Sequence, residues 1–202
     1  MKTKHIIGKT YALSKSDSKQ YIFYHNLKCA TRSIIGYLND HNIVDGTEDQ
    51  TDYQVEYNDD WNNYFQFSFI RNPYDRLLSC FLDKTKKVIG TQYEIPCYSK
   101  YADTNFKDFV MGLTKYPWQF HDRHLAPQVE LINFKHLNFI GRFENLNNDF
   151  SYVRKILDLN DNDLPHRNTT DHKQYRQYYD MEMIEKVRYI YNSDFEIFEY
   201  DF

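Results

Sequence analysis

Two stretches of the chain share one order of apolar and polar positions. The β-prone run 21–25 leads through a polar turn into a helical pattern from Thr31 to Leu38. The apolar run 64–70 leads through a turn, with Pro73 at the first helical position, into a helical pattern from Tyr74 to Lys87. Two successive strand–loop–helix units predict a parallel sheet with crossover helices.

The rest of the chain alternates shorter elements with polar loops. The segment Asn39 to Asn63 is rich in Asp, Asn and Thr, which predicts a surface connection. The further predicted elements are a helix near Asn105 to Leu113, a His-bearing segment Phe120 to Leu131, a strand Leu137 to Ile140, a helix near Leu146 to Leu157 and a last helix Tyr175 to Tyr191. Without a repeat or a Gly/Pro-rich linker, the pattern predicts a single α/β domain over 1–202, with a P-loop-like parallel β-sheet flanked by helices.

Composition limits the partners. Of 202 residues, 41% are apolar and 18% aromatic, which is typical of a folded protein with a sizeable core. The net charge of −4 provides no overall field to hold nucleic acid or an anionic membrane. Any anion site must therefore be local.

Cysteine content and hydropathy bear on the compartment. No run of about 18 apolar residues predicts a membrane span, and the first residues do not resemble a signal peptide. Cys29, Cys80 and Cys97 are an odd number without metal-ligand spacing, which argues against a disulfide framework and a metal site. We therefore expect a soluble protein in the reducing cytoplasm.

The first loop carries the groups of an anion site. A loop between a strand and a helix places backbone N–H groups and the positive helix end around one point. From Lys28 to Ser33 the side chains add an ammonium group, a guanidinium group and two hydroxyls. The alternative is an ordinary turn with solvated Lys28 and Arg32, and the glycine pattern of nucleoside triphosphatases is missing.

The second loop offers a further set of donors. Arg71 ends its predicted strand, and Ser79 lies eight positions later, about two helical turns on. Arg76 is expected to pair with Asp75, Asp83 or solvent. If the two strands are neighbours, both loops emerge at the carboxyl edge of the sheet, where open α/β sheets bind ligands. Two such sites on one edge favour a ligand with anions at both ends.

The segments Tyr24 to Ser33 and Ile70 to Ser79, which contain the two loops, are followed in order by His124 to Gln128, Phe139 to Glu144 and Asp194 to Tyr200. These five segments resemble a known family, the carbohydrate sulfotransferases that use 3′-phosphoadenosine-5′-phosphosulfate (PAPS), related to the Golgi chondroitin, dermatan and HNK-1 enzymes. Tyr24 to Ser33 resembles the family's 5′-phosphosulfate loop, and Ile70 to Ser79 resembles its 3′-phosphate motif. His124 to Gln128 and Phe139 to Glu144 are similar to its His-x-x-Pro-Gln and Phe-Ile-Gly-Lys-x-Glu segments. Asp194 to Tyr200 is similar to its closing Asp-Phe-x-x-Phe-x-Tyr.

The resemblance implies a PAPS-dependent sulfotransferase that releases 3′-phosphoadenosine-5′-phosphate (PAP), uses no metal and acts on a carbohydrate. The implied nucleotide-binding residues are Lys28, Cys29, Ala30, Thr31, Arg32, Ser33, Arg71 and Ser79, with Thr169, Thr170 and Lys173 in a covering loop. The paired cysteines of the Golgi enzymes are missing after Gln128, and no membrane anchor precedes the predicted domain. Both departures suggest a cytoplasmic microbial or viral relative.

Sulfuryl transfer requires alignment, charge stabilisation and removal of a proton from the acceptor. Lys28 is the residue expected to neutralise charge on the leaving oxygen. His124 is the preferred general base, and a structural histidine is the alternative reading. The other candidates for the base are His25, His41, His121 and Glu144.

Three further expectations concern the Cys29 thiol and two alternative functions. The helix end and Lys28 are expected to lower the pKa of the Cys29 thiol and make it reactive. A nucleotide kinase is an alternative function, although the glycine pattern is missing. A PAP-binding module without catalysis is the other, and the intact Lys28, Arg71 and Ser79 argue against it.

Overall fold

The computed structural model describes residues 10–44, 54–87, 89–91, 96–113, 122–160, 164 and 174–202. Five strands form one sheet in the order β3-β1-β2-β4-β5. They are β1 (Thr10–Ser16), β2 (Tyr21–Tyr24), β3 (Gln54–Glu56), β4 (Phe65–Ile70) and β5 (Phe139–Arg142).

The central strands run as the sequence predicts. Strands β2 and β4 are parallel neighbours, with Phe23 opposite Phe67, and β4 and β5 are parallel as well. The prediction of a parallel sheet is nevertheless incomplete, because β1 pairs antiparallel with both β2 and β3. The short turn 17–20 between β1 and β2 explains the direction, since tight turns join antiparallel strands only.

Eight α-helices surround the sheet in the described residues. They are α1 (Thr31–Asp40), α2 (Pro73–Phe81), α3 (Pro96–Ser99), α4 (Phe106–Gly112), α5 (Gln128–Leu131), α6 (Leu146–Ile156), α7 (Met181–Ile190) and α8 (Asn192–Phe198). None of the described helices is long and apolar enough to cross a membrane.

Side chains of the central strands alternate between two cores, as a strand buried on both faces requires. Tyr21 and Phe23 pack with helices α1 and α6 on one face of the sheet. Ile22 and Tyr24 pack with α5 and α8 on the other face. A third cluster joins α2, α4 and α7 beside the sheet. These packed layers hold the ends of β2 and β4 in fixed positions.

Two predicted boundaries differ from the structure. The helix predicted to Lys87 is α-helical only to Phe81 and continues as a π-helical segment, Leu82–Lys87. The strand predicted from Leu137 begins at Phe139. Within β5, Gly141 has no side chain because a Cβ atom there would lie 2.3 Å from the Phe69 ring.

The helix predicted from Tyr175 to Tyr191 is interrupted. A 3-10 turn occupies Tyr175–Tyr178, and α7 begins only after Asp180. The Asp180 side chain accepts a hydrogen bond from the backbone N–H of Met183 at 3.0 Å, so it caps the new helix. A capping residue inside the predicted helix therefore explains the break.

Candidate active site

The loop between β2 and α1, which we call loop 1 (residues 25–30), is closed by its own backbone. The carbonyl oxygen of Asn26 accepts hydrogen bonds from Cys29 N at 3.3 Å and from Thr31 Oγ1 at 2.5 Å. Lys28 and Ala30 adopt left-handed φ values of 70° and 61°. Among the described residues no side chain caps α1. The amino end of α1 therefore faces this loop without a protein acceptor from a capping side chain.

The Lys28 ammonium group lies in a cluster of charges. Its Nζ is 3.3 Å from Oδ2 of Asp83, and Nζ of Lys84 is 3.4 Å from the same oxygen. Burial lowers the pKa of Lys28, although Asp83 partly opposes the change. Burial alone would raise the pKa of Asp83, but the two ammonium groups outweigh it and the pKa is lowered. Neither Asp83 nor Lys84 was among the predicted site residues.

His124 joins this cluster through a carboxylate. Its Nδ1 is 2.7 Å from Oδ1 of Asp122, which also accepts from the His124 backbone N–H at 2.9 Å. Burial lowers the pKa of His124, the Asp122 carboxylate opposes this, and the charges of Lys84 and Lys28 lower it further. With Nδ1–H donated to Asp122, the neutral ring presents Nε2 as its acceptor.

The loop between β4 and α2, which we call loop 2 (residues 71 and 72), touches loop 1. Arg71 donates from Nε to Oδ2 of Asp75 at 2.8 Å and from Nη1 to the carbonyl oxygen of Lys28 at 3.1 Å. Its guanidinium group lies 4.0 Å from the centre of the Phe143 ring. Ser79 is buried on α2. The expectation that both loops meet at one edge of the sheet is confirmed.

The expected partners of Arg76 were wrong. This side chain is 2% exposed, donates from Nε to the carbonyl oxygen of Leu27 at 2.9 Å and from Nη1 to that of Ala126 at 2.8 Å. A buried guanidinium group can satisfy its N–H donors with backbone carbonyl oxygens as well as with carboxylates. Arg76 thus fastens loop 1 to the segment that precedes α5.

Glu144 and Asp194, in the two remaining segments that resemble the family, accept hydrogen bonds from backbone N–H groups near the loops. Glu144 accepts from the backbone N–H of Asn72 at 2.6 Å and from Tyr200 Oη at 2.9 Å. Asp194 accepts from the backbone N–H groups of Gln128 at 2.8 Å and Val129 at 3.0 Å. Glu144 therefore serves as a hydrogen-bond acceptor for loop 2.

Of the other histidines proposed as the base, His25 bonds to β1, His41 stacks at the far end of α1, and His121 lies outside the described residues. His25 is buried, its Nε2 is 2.8 Å from Ser14 Oγ, and burial together with the charge of Arg123 lowers its pKa to about 3. His41 follows the last turn of α1, about 15 Å along the axis from its start, and stacks on Tyr37. His121, Thr169, Thr170 and Lys173 lie outside the described residues.

The expectation of a reactive Cys29 was wrong. Its thiol is completely buried, and burial raises its pKa to about 12 against the lowering effect of Arg76 and Arg71. The Sγ atom donates to Oε1 of Gln128 at 3.3 Å. Loop 1 thus turns the Cys29 side chain into the protein, whereas Arg32 on α1 is exposed. In the described ranges, no cluster of three or more His, Cys, Asp or Glu side chains could hold a metal ion.

Comparison with known proteins identifies the family. The model of the sulfotransferase family matches residues 22–201, which include both loops, the His124 segment and the residues around Asp194. A search of curated proteins and a search of solved structures gave no match. Because the match covers most of the chain and every part of the site, the protein belongs to the sulfotransferase family.

Proposed function

We propose that the protein transfers the sulfuryl group of PAPS to a hydroxyl group of a carbohydrate and releases PAP. The observation that carries this proposal is the meeting of loops 1 and 2 at one sheet edge, with Lys28 in the charge cluster that also influences His124. The proposed site thus combines cationic groups for a two-ended anion with a neutral imidazole.

Loop 1 is proposed to bind the 5′-phosphosulfate group. The uncapped amino end of α1 supplies a positive partial charge, and no acidic residue lies in the first turn to compete for it. Lys28, Thr31, Arg32 and Ser33 add cations and hydroxyls in or beside the same loop. Loop 2 is proposed to bind the 3′-phosphate through Arg71 and Ser79. Thr169, Thr170 and Lys173 remain proposed members of a covering loop.

The transfer step is a displacement at sulfur. A bond forms between the acceptor oxygen and sulfur, while the bond between sulfur and the bridging oxygen breaks. The acceptor proton passes to Nε2 of His124, and the electron pair of the broken bond stays on the 5′-phosphate of PAP. Lys28 stabilises this developing charge, which grows only as the bond breaks.

Asp122 and Asp83 prepare the two reacting groups in this proposal. The Asp122 carboxylate fixes the ring orientation of His124 and stabilises the imidazolium that forms. Asp83 holds Lys28 before the nucleotide binds, and Lys84 remains as a partner for Asp83 when phosphosulfate oxygens compete for Lys28. The paired charges reduce the cost of burying either ammonium group alone.

The carbohydrate acceptor rests on the family resemblance of the sequence motifs. The single domain over 1–202 and the cytoplasmic location stay predictions as well.

A binding and transfer experiment tests the proposed function. We expect calorimetry to show far tighter binding of PAP than of ATP, because ATP has no 3′-phosphate for loop 2. Incubation with sulfur-labelled PAPS and a panel of glycans should then label at least one glycan, with Lys28→Ala as the inactive control. Equal binding of PAP and ATP would contradict the assignment, and PAP binding without transfer to any acceptor would favour a binding module.

A further inference from the structure

One buried amide group connects the two loops. Oε1 of Gln128 accepts hydrogen bonds from Asn26 Nδ2 at 2.9 Å, from the Arg71 backbone N–H at 3.0 Å and from Cys29 Sγ at 3.3 Å. Its Nε2 donates to the carbonyl oxygen of Arg71 at 2.8 Å. Gln128 is completely buried. A single side chain therefore bonds to loop 1 on one side and to both backbone groups of Arg71 on the other.

Gln128 is itself held in place. The backbone N–H of Gln128, at the amino end of α5, donates to the buried carboxylate of Asp194. Asn26 is fixed by a second hydrogen bond from Nδ2 to the carbonyl oxygen of Phe69, at 2.9 Å. Because each partner has at least one further anchor, the amide has little freedom to let the loops move apart.

The direct contact between the loops cannot perform the same task. Arg71 Nη1 donates to the carbonyl oxygen of Lys28, but this is the guanidinium group that the 3′-phosphate is proposed to use. Gln128 bonds to the backbone of Arg71 and leaves its guanidinium group for a ligand. The hydrogen bonds through the amide can therefore remain unchanged when both anions are bound.

We infer that Gln128 is a positioning residue that sets the distance between the two anion-binding loops and thereby selects a nucleotide with anionic groups at both the 5′ and 3′ positions. The inference rests on the proposed function. Loops held at the correct spacing let the second anion bind without a further ordering cost, so a two-ended ligand gains more than a one-ended ligand.

The test compares PAP with 5′-AMP, which lacks the 3′-phosphate. Gln128→Met keeps a similar volume and removes every side-chain hydrogen bond. We expect it to reduce the preference for PAP over 5′-AMP, measured by calorimetry, by about tenfold or more, because a displaced loop 2 would weaken the charged hydrogen bond of the Arg71 guanidinium group to the 3′-phosphate. The affinity for 5′-AMP itself should change less.

Gln66 offers a matched control. It is also buried, accepts from Tyr24 Oη at 2.9 Å and donates to the carbonyl oxygen of Trp61 at 2.8 Å, but lies near the start of β4, away from the loops. Gln66→Met also removes buried side-chain hydrogen bonds and should lower the free energy of unfolding. The ratio of the affinities for PAP and 5′-AMP should stay near that of the wild type.

A second variant covers the case in which Gln128→Met does not fold. Gln128→Glu keeps the shape and the acceptor for Asn26, but its ionised carboxylate cannot donate to the Arg71 carbonyl oxygen. We expect a reduced preference for PAP that recovers towards the wild-type value as the pH falls, because the protonated group can donate again. Wild-type protein at each pH corrects for titration of the ligands.

The outcomes separate the inference from the proposed function. Wild-type protein that binds PAP and 5′-AMP equally would contradict the proposed function. Wild-type protein that prefers PAP, together with folded Gln128→Met that keeps the full preference or folded Gln128→Glu that keeps it at every pH tested, would overturn the positioning role alone. A loss of preference in the Gln66→Met control of equal size would also overturn it.

Discussion

The helix after loop 1 begins behind Ala30, whose side chain cannot accept a hydrogen bond, whereas the helix after loop 2 begins behind Asn72. Oδ1 of Asn72 accepts from the Tyr74 backbone N–H at 3.0 Å, and Pro73 removes one further donor. Helix α2 also carries Asp75 in its first turn, while α1 has no acidic residue there. Loop 2 thus satisfies its helix end internally, and loop 1 does not.

The difference indicates how each loop would treat an anion. At loop 1 the main chain, the helix end and Lys28 can all act on one group. At loop 2 the helix end is already used, so binding depends on the side chains of Arg71 and Ser79. We therefore expect substitutions near loop 1 to affect the transfer step and substitutions at loop 2 to affect nucleotide affinity.

The largest effect is expected on kcat, from substitution of the proposed general base His124. His124→Ala should lower kcat by about 10²- to 10⁴-fold, the contribution of a general base, with PAP affinity near wild type. His41→Ala is a suitable control, since His41 lies at the far end of α1. A folded His124→Ala enzyme with full kcat on a glycan acceptor would remove His124 from the mechanism.

The pH dependence sharpens the same point. A base must be neutral, so wild-type kcat should fall as the pH drops through the His124 pKa, which burial places below its ordinary value. The Asp122 carboxylate raises that pKa, so Asp122→Asn should move the fall in kcat to lower pH. An unchanged pH profile in this variant would contradict the assigned pair.

Lys28→Ala tests whether loop 1 acts on the transition state. We expect kcat to fall by on the order of 100-fold, because one preorganised charge-stabilising donor is removed, while PAP affinity changes less. Lys15→Ala removes a lysine that pairs with Asp17 at the surface and should retain wild-type kcat. If Lys28→Ala lost PAP affinity and kept kcat, the contrast between the loops would be reversed.

Arg71→Ala tests the other loop. We expect PAP binding to weaken by about 1.5–3 kcal/mol, the range for hydrogen bonds of charged groups, with 5′-AMP binding nearly unchanged. Arg188→Ala removes an exposed guanidinium paired with Asp201 and serves as the control. Calorimetry that gave the same PAP affinity for wild type and Arg71→Ala would exclude Arg71 from the 3′-phosphate site.

The smallest effect is expected from chemical labelling of the cysteines. Because its buried thiol has a raised pKa, iodoacetamide should label partly exposed Cys97 before Cys29 in the folded protein and leave PAP binding unchanged. In denaturant both residues should react, as peptide mass spectrometry can show. Rapid labelling of Cys29 in the native protein would mean that loop 1 opens easily.

Local signals explain which parts of the site could be predicted. The loops around Lys28 and Arg71 follow short apolar strands and precede helical patterns, so each was visible within about 20 residues of sequence. Strand β1 was missed because its polar residues alternate less clearly. The Asp122–His124 pair was missed although its two residues are close in sequence. An Asp side chain often accepts a hydrogen bond from the backbone N–H two residues later in a turn, so its presence did not indicate a partner for the histidine ring.

The remaining contacts join distant segments and left no local signal. Arg76 meets the carbonyl oxygens of Leu27 and Ala126, and Lys28 meets Asp83 in the π-helical segment that follows α2. Backbone acceptors carry no residue identity, so a sequence cannot name them in advance. The role of Gln128 likewise depends on three chain segments that only the fold brings together.

The hydrogen bonds of Asp194 and its neighbours also govern the order in which the site can form. Asp194 and Gln128 are 66 positions apart, and the carbonyl oxygen of Asp201 accepts from Asn72 Nδ2 across 129 positions. During synthesis loops 1 and 2 therefore leave the ribosome well before the residues that hold them. Contacts of such long range form slowly, so nucleotide binding should be acquired late in folding, after the sheet and α1 are already packed.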